Sequence, residues 1–408
     1  MVTLLATIIE KLMQKLGDPN LLKKSRFSEE FFTRERKLPF WKLVMYMLNI
    51  PNESTQVALN RFTKTLGDDP VSQQAFSKAR NKINHLPFLE LFKESFAYIP
   101  REKRWHGYLL SAIDGSVISL PQSKELLSYF GAAGPASAQS PAARASTRCD
   151  VLNEIILDAG IMPYTTGERV AAKQFLQNQN AGDKEINIYD RGYFSWEFVE
   201  LHIEKGNSFL FRLKSKFNNE IDALPHGDHT VTINGIKLRV LKFALESGEL
   251  ETLVTDVFDG NLKLLDFKKL YALRWGVETK YNIVKNKMGL ENFTGLSPNC
   301  IRQDFFASMT VANLVAAAKI DADSHIKEER IDKNNKHEYA ANVNAIVGTL
   351  KDYLIFAFLN SGTDLAASIM KEIQDACVKC VVPIRKGRSF PRKVPRKVKF
   401  HKNIKFNA

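Results

Sequence analysis

A change of hydrophobic period near residue 106 divides this chain. Before it, FSEEFFTRERKLPFWKLVMYMLNI and VSQQAFSKARNKI carry apolar residues three and four apart, the spacing of helices with one buried face. The second segment places Lys78, Arg80 and Lys82 close together, either as a DNA-reading helix or as a solvated basic face. After the change, YLLSAIDGSVISLP reads as a strand, a break at Asp114-Gly115 and a second strand. VLNEIILDAGIMP reads as a third strand and GERVAAKQFLQNQ as a helix. EINIYD is a short strand ending on Asp190, and FSWEFVELHIEKG is a helix closed by Gly206. Strands followed by alternating helix and strand predict an α/β domain.

Residues 207–259 interrupt that alternation with β-rich stretches, among them HTVTINGIKLRVLKFAL with its Asn-Gly turn. Residues 131–146, GAAGPASAQSPAARAS, are small and read as a flexible loop. Helical periodicity returns after about 297 in DFFASMTVANLVAAAKI and YAANVNAIVGTLKDYLIFAFL. The closing stretch, PIRKGRSFPRKVPRKVKFHKNIKFNA, holds ten Lys or Arg and no acid, and its prolines favour an extended tail.

Charge narrows the partners. The chain has 58 Lys plus Arg against 45 Asp plus Glu, a formal +13, which favours a polyanion such as nucleic acid or an anionic membrane face. No uninterrupted apolar run reaches the roughly 18 residues of a membrane span. The N-terminal MVTLLATIIEKLMQKLG is amphipathic, with its charges after the apolar part, unlike a signal peptide, so a cytoplasmic protein is expected. Four cysteines do not make a disulfide framework, and Cys377-x-x-Cys380 stands without a second pair, which favours plain thiols over a zinc site.

The chemistry concentrates in YALRWGVETKYNIVK. With about 100° per helical residue, Arg274, Glu278 and Lys285 fall within a sector of roughly 60° that includes Tyr271. The plain alternative is a solvated stripe with an Arg274–Glu278 pair. Leu273, Val277, Ile283 and Val284 on other faces would pin the helix and aim that stripe. Asp114 and Asp190 lie where strands end, positions in which a rigid carboxylate suits a hard divalent cation; a turn-forming Asp and an ion pair with Arg191 are their structural alternatives. Phosphodiester chemistry uses two such cations about 3.5–4 Å apart. Two strand aspartates and a helix glutamate can hold them while Arg274 and Lys285 meet phosphate.

The set IDGS, IYDRGY and Y-x2-R-x3-E-x6-K resembles the DDE transposases of bacterial insertion sequences, in the YREK-signature family (insertion-sequence family four). STRCDVLNEIILDAGI, FLFRLK, GLENFTG and IRQDFFASMTVANL agree, and the resemblance runs from roughly 25 to 408. It implies an RNase H-like α/β catalytic core over 101–206 and 260–325, with a β-rich insertion over 207–259. Flanking these are an N-terminal helical domain, 1–100, for DNA end binding, a C-terminal helical region, 326–384, and a basic tail, 385–408. Asp114, Asp190 and Glu278 match the catalytic and metal-binding triad, with two Mg²⁺ ions that Mn²⁺ can replace. Tyr271, Arg274, Trp275, Lys285 and Arg191 are the expected DNA contacts. The implied activity is cut-and-paste transposition inside a homodimeric synaptic complex, on double-stranded DNA carrying terminal inverted repeats and on target DNA, with no membrane partner. Relatives that pass through a hairpin use an aromatic residue, usually tryptophan, in the insertion. Here Trp41, Trp105, Trp196 and Trp275 all lie outside 207–259, which instead offers Phe209, Phe211, Phe217, Phe243 and Phe258. The alternatives are a catalytically inactive DNA-binding regulator and a metal-dependent nuclease without strand transfer.

DNA affinity should fall with salt with a log–log slope of about −0.9 per phosphate neutralised. Deleting 385–408 should flatten that slope in a salt series of binding isotherms; an unchanged slope would show that the tail does not touch DNA.

Overall fold

A computed structural model describes residues 3–34, 36–49, 53–135, 139–179, 184–245, 248–274, 276, 285, 288–330 and 337–385. The chain forms two compact units. One comprises Met1–Ile99, Ser119–Ala142 and Ile283–Ala408; the other comprises Pro100–Ile118 and Ala143–Asn282.

The strands are β1 (Leu109–Ser119), β2 (Ala132–Ala133), β3 (Ser140–Asp150), β4 (Ile155–Pro163), β5 (Glu185–Tyr189), β6 (Ser208–Arg212), β7 (Gly227–Ile233), β8 (Ile236–Ala244) and β9 (Leu250–Thr255), with β10 (Tyr339–Ala341) and β11 (Val381–Pro383) apart. In the second unit the sheet runs β4-β3-β1-β5-β6-β9-β8-β7. β3 and β4 are antiparallel, whereas β5 is parallel to β1 and β6 is parallel to β5. A parallel neighbour needs a crossover, and two helices supply it. Glu168–Asn178 joins β4 to β5, and Trp196–Lys205 joins β5 to β6. This is the expected RNase H-like α/β core. β9, β8 and β7 continue the same sheet as antiparallel strands. Their hairpin turns at Asn234 and Gly235, both at positive φ (53° and 75°), which an Asn-Gly pair accommodates.

The core of this unit is aromatic. Tyr189, Phe198, Phe209 and Phe211 are fully buried, and the Tyr189 and Phe211 rings stack at 4.6 Å. In the β-rich stretch Phe209 and Phe211 are therefore core residues and Phe243 is buried, whereas Phe217 and Phe258 are exposed. A buried polar network ties the early ends of β1 and β5 to the late end of β3. Glu185, which opens β5, accepts from Arg101 at 2.8 Å, from Arg148 of β3 at 3.3 Å, from Gln179 at 2.7 Å, and from Ser111 of β1. Arg101 also pairs with Asp150 at 2.8 Å. Burial would raise the Glu185 carboxyl, but Arg148 and Arg101 hold it below its ordinary range.

The first unit is helical. Pro298–Glu329 packs against Leu86–Ala97 and Leu4–Leu16, and against Val343–Leu359 and Leu365–Lys379. Asp321 caps the first helix by accepting from Leu4 N and Leu5 N at 2.9 Å each. Pro298–Glu329 is long and apolar enough to cross a membrane by length and composition, yet 78% of its apolar window is buried inside the protein, as in a core helix. In this unit β2 pairs with the first residues of β3.

The structure corrects three local expectations. Asp114-Gly115 is no break: β1 runs through it, and Gly115 has no positive φ. The loop expected over 131–146 is in part strand, because the small residues of Ser140–Asp150 fit a buried position in the sheet. Among the clustered basic residues, Lys78 is exposed and Lys82 half-buried, but Arg80 is buried and bonds Gln303, Thr294, Cys300 O and Asp304. It locks Gln73–Arg80 to the long helix, so it cannot read DNA. Cys377 is buried, its thiol pushed up to about 11 by that burial, and Cys380 is an exposed free thiol.

Glu185→Ala should cost about 3–5 kcal/mol in denaturant unfolding, because it strands buried guanidinium charge. A loss below about 1 kcal/mol would show that the network does not hold the sheet.

Candidate active site

Parallel pairing places the two aspartates. Ala112 of β1 is in register with Ile188 of β5. Asp114 lies two residues beyond Ala112 and Asp190 two beyond Ile188, so the same register, continued, brings their backbone positions to one level. Each stands where its strand leaves the core. β1 is buried from Leu109 to Ile113 and half-buried from Asp114 to Ser116; β5 is buried throughout and Asp190 is half-buried. This is the late edge of parallel strands, where open α/β sheets bind ligands.

Local contacts fix Asp190. Its Oδ1 accepts from Gly192 N at 2.7 Å, and among the described residues it forms no ion pair with Arg191, which is exposed. Behind it, the Tyr189 hydroxyl meets His202 Nε2 at 2.9 Å, and His202 Nδ1 meets Asn207 O at 2.9 Å. With Nδ1–H donating to the carbonyl, Nε2 accepts from the phenol. Burial lowers His202 to about 4, so the ring is neutral and holds the strand end that carries Asp190.

Tyr271 lies in the helix Leu264–Ala272, and Arg274 follows in a turn, its N–H donating to Tyr271 O at 3.1 Å. Both side chains are buried, and the Arg274 guanidinium lies 5.8 Å from the Tyr271 ring centre. The Tyr271 hydroxyl has no hydrogen-bond partner among the described residues. Burial raises that phenol, Arg274 and Arg212 lower it, and Glu251 and Asp190 raise it, which places Asp190 within electrostatic reach. Lys285 belongs to the other unit and pairs with Glu291 at 3.1 Å. Glu278 and Trp275 lie outside the described residues, as does most of the stretch expected to form one helix from Tyr271 to Lys285.

Glu168, which the sequence reading passed over, comes near Asp190 and the backbone at Gly115 and Gly192. It opens the helix after β4, a position where an acid is ordinarily read as helix-start chemistry. Its carboxylate pairs with Arg144 of β3. Burial raises the Glu168 carboxyl, Arg144 opposes, and Asp190 adds to the rise. Only the tertiary approach of the helix to β1 and β5 reveals it.

The donors present are hard carboxylate oxygens, which fit a Mg²⁺-type cation. Two glycines keep that edge open: a Cβ on Gly115 would meet Glu168, and one on Gly192 would stand 3.1 Å from Asp190 Oδ1. Among the described residues no three His, Cys, Asp or Glu side chains already converge as a metal-binding group.

A family model described as "Transposase DDE domain" matches residues 105–314, about half of the chain. The chain belongs to the transposase DDE domain family. This transposase-family chain is 26% identical over 184 residues to an Escherichia coli (strain K12) protein named "Putative transposase InsZ". The match covers 42% of the chain and 60% of the length of that relative. A cryo-EM structure of the piggyBac transposase synaptic complex with hairpin DNA shares the fold, with a TM-score of 0.50 at 10% identity. That likeness covers 96% of this chain and 87% of the other.

A neutral His202 makes stability pH-dependent. Its folded value lies below its unfolded one, so its contribution is whole above about pH 6.5 and is lost as pH falls toward 4. The loss should approach about 3 kcal/mol for a fully buried ring. His202→Gln should show a shallower decline in melting temperature over that range; an equal decline would place the titration elsewhere.

Proposed function

We propose that this protein is the transposase of a bacterial insertion sequence of the YREK-signature family. It cuts and joins DNA at terminal inverted repeats by a cut-and-paste route inside a homodimer. The observation that carries this reading is the register that sets Asp114 beside Asp190, in a chain of the transposase DDE domain family. Asp114, Asp190 and Glu278 would hold two Mg²⁺ ions, for which Mn²⁺ can substitute. Bound there, the ions would supply Lewis-acid activation of the attacking oxygen and stabilisation of the leaving one.

The chain's own residues bind and orient. Asp190 is held by Gly192 N and by the Tyr189–His202 anchor behind it, so its carboxylate needs little ordering when substrate arrives. Tyr271 contributes a buried phenol that feels the charge of Asp190, and the Arg274 guanidinium lies 5.8 Å from its ring centre. Both are suited to grip a phosphate beside the reacting bond. Arg191, exposed next to Asp190, Trp275 and Lys285 are further DNA contacts in this reading.

End recognition is assigned to the N-terminal helices. A cavity of about 1400 Å³ lies between the 29–39 segment and the helix Gln73–Arg80. Arg34, Arg36, Lys37, Lys78 and Lys82 line it, against Glu29 and Glu30. That surplus of cations suits a phosphate backbone.

Asp114→Ala and Asp190→Ala should each reduce Mg²⁺-dependent cleavage of DNA bearing the element's terminal repeats to background. Binding of the same DNA in a mobility-shift assay should change less than about threefold, since neither acid contacts phosphate directly in this scheme. Cleavage surviving in Asp190→Ala would refute the assignment. Cleavage without joining of pre-cut ends in the wild type would mark a nuclease.

A further inference from the structure

We propose that Arg212, at the end of β6, grips a backbone phosphate of the DNA beside Asp190, and that Glu251 of β9 holds its guanidinium in place to do so. This inference rests on the reading of Asp190 as part of the cleavage site.

Strand pairing puts the two residues side by side. Tyr189 of β5 is in register with Phe211 of β6. Continued by one residue, that parallel register brings Arg212 to the backbone level of Asp190. Phe211 belongs to the aromatic core, so Arg212, the next residue along the strand, lies on the opposite face. β9 supplies an anchor on that face. Leu253 pairs with Arg212, and Glu251 lies two residues from Leu253, which keeps it on the side of Arg212. The contact is made: Arg212 Nε lies 3.2 Å from Glu251 Oε2.

The two partners of this guanidinium are unlike. Glu251 is 6% exposed, a fixed anchor; Glu249, which accepts from Arg212 Nη2 at 3.0 Å, is 57% exposed. Burial raises the Glu251 carboxyl, and Arg212 opposes that rise. Arg212 itself is 22% exposed, so its head reaches solvent from a buried hold. The Glu249 carboxylate is an oxyanion at the open end of the guanidinium. A phosphate can take its place, because both are bound by the same charged donors. The Tyr271 hydroxyl supplies a second donor. It is buried and has no hydrogen-bond partner among the described residues. Beyond burial, the charges acting on it are those of Arg274, Arg212, Glu251 and Asp190, which sets it among these same groups. A buried hydroxyl without a partner is destabilising, and an oxyanion held on Arg212 would satisfy it. Glu251 is then a positioning residue. The simpler alternative is an ion pair that only staples β6 to β9 and is indifferent to DNA.

A neutral-phosphate scan separates the two. Duplexes bearing the element's terminal repeat would carry one methylphosphonate at each position in turn around the cut. Mg²⁺-dependent cleavage is then measured for wild type and Arg212→Gln. Arg212→Gln should cleave the unmodified duplex about 10- to 100-fold more slowly, as for a lost hydrogen bond to a charged group. At one position the neutral linkage should slow the wild type by a similar factor and Arg212→Gln by less than about threefold, because the contact is already gone. Arg212→Lys, which keeps a charge against Glu251, gives the same comparison in a variant that leaves no buried carboxylate unpaired. Glu251→Gln should slow cleavage, and its effect should shrink to within about twofold in the Arg212→Gln background; Glu249→Gln should stay within about threefold of wild type. Equal sensitivity of wild type and both Arg212 variants at every phosphate would overturn this inference. With cleavage still lost in Asp190→Ala, it would leave the transposase reading standing. A wild-type chain that cleaves no such duplex with Mg²⁺ would overturn that reading and this inference with it.

Discussion

The buried carboxylate of Glu185 governs what the second unit can present. It lies at the opposite end of β5 from Asp190, and it gathers Arg101, Arg148, Ser111 and Gln179 around one charge. A buried carboxylate is tolerated only when its partners are all in place, so the network admits one register of β1, β3 and β5. A slip of one residue would strand Glu185 and turn every side chain to the wrong face. The same register, continued, carries Asp114 and Asp190 to a common level five residues beyond the Leu109–Glu185 pair. The polar knot at one edge of the sheet thus sets the alignment of the acids at the other.

Between the two edges the sheet is rigid for reasons of packing. Tyr189, Phe198, Phe209 and Phe211 fill the space under the crossover helices, and the neutral His202 gives the buried Tyr189 hydroxyl its hydrogen-bond partner. Preorganisation of this kind matters at a site whose reactants are charged. A carboxylate that must move to meet a cation pays ordering entropy at that moment, whereas Asp190 is already fixed by Gly192 N and its strand. Gly115 and Gly192 supply the complementary feature, space. Each omits a side chain where a carboxylate approaches.

Much of this was legible in the chain itself. The periodic switch near 106, the helix closed by Gly206 in the left-handed region (φ 67°) and the Asn-Gly hairpin all rest on local chemistry. So did the end of EINIYD on Asp190, because a run of five buried residues followed by an acid has few other readings. What escaped depended on contacts distant in sequence. Asp114-Gly115 looks like a turn until a helix more than fifty residues away explains the glycine. Arg80 looks like a surface cation until Thr294, Gln303 and Asp304 surround it. Ala- and Ser-rich 140–146 looks like a linker, yet small residues also suit a crowded central strand. The reach of Glu168 toward Gly115 and Gly192 was hidden as well, since an acid in a first helical turn has a sufficient local explanation already.

The most direct test of the account is anomalous diffraction from crystals of the full chain soaked in Mn²⁺. The account predicts a peak between the carboxylates of Asp114 and Asp190 at the late edge of β1 and β5. A well-ordered map in which those two side chains share no ion, with manganese bound elsewhere or nowhere, would contradict it.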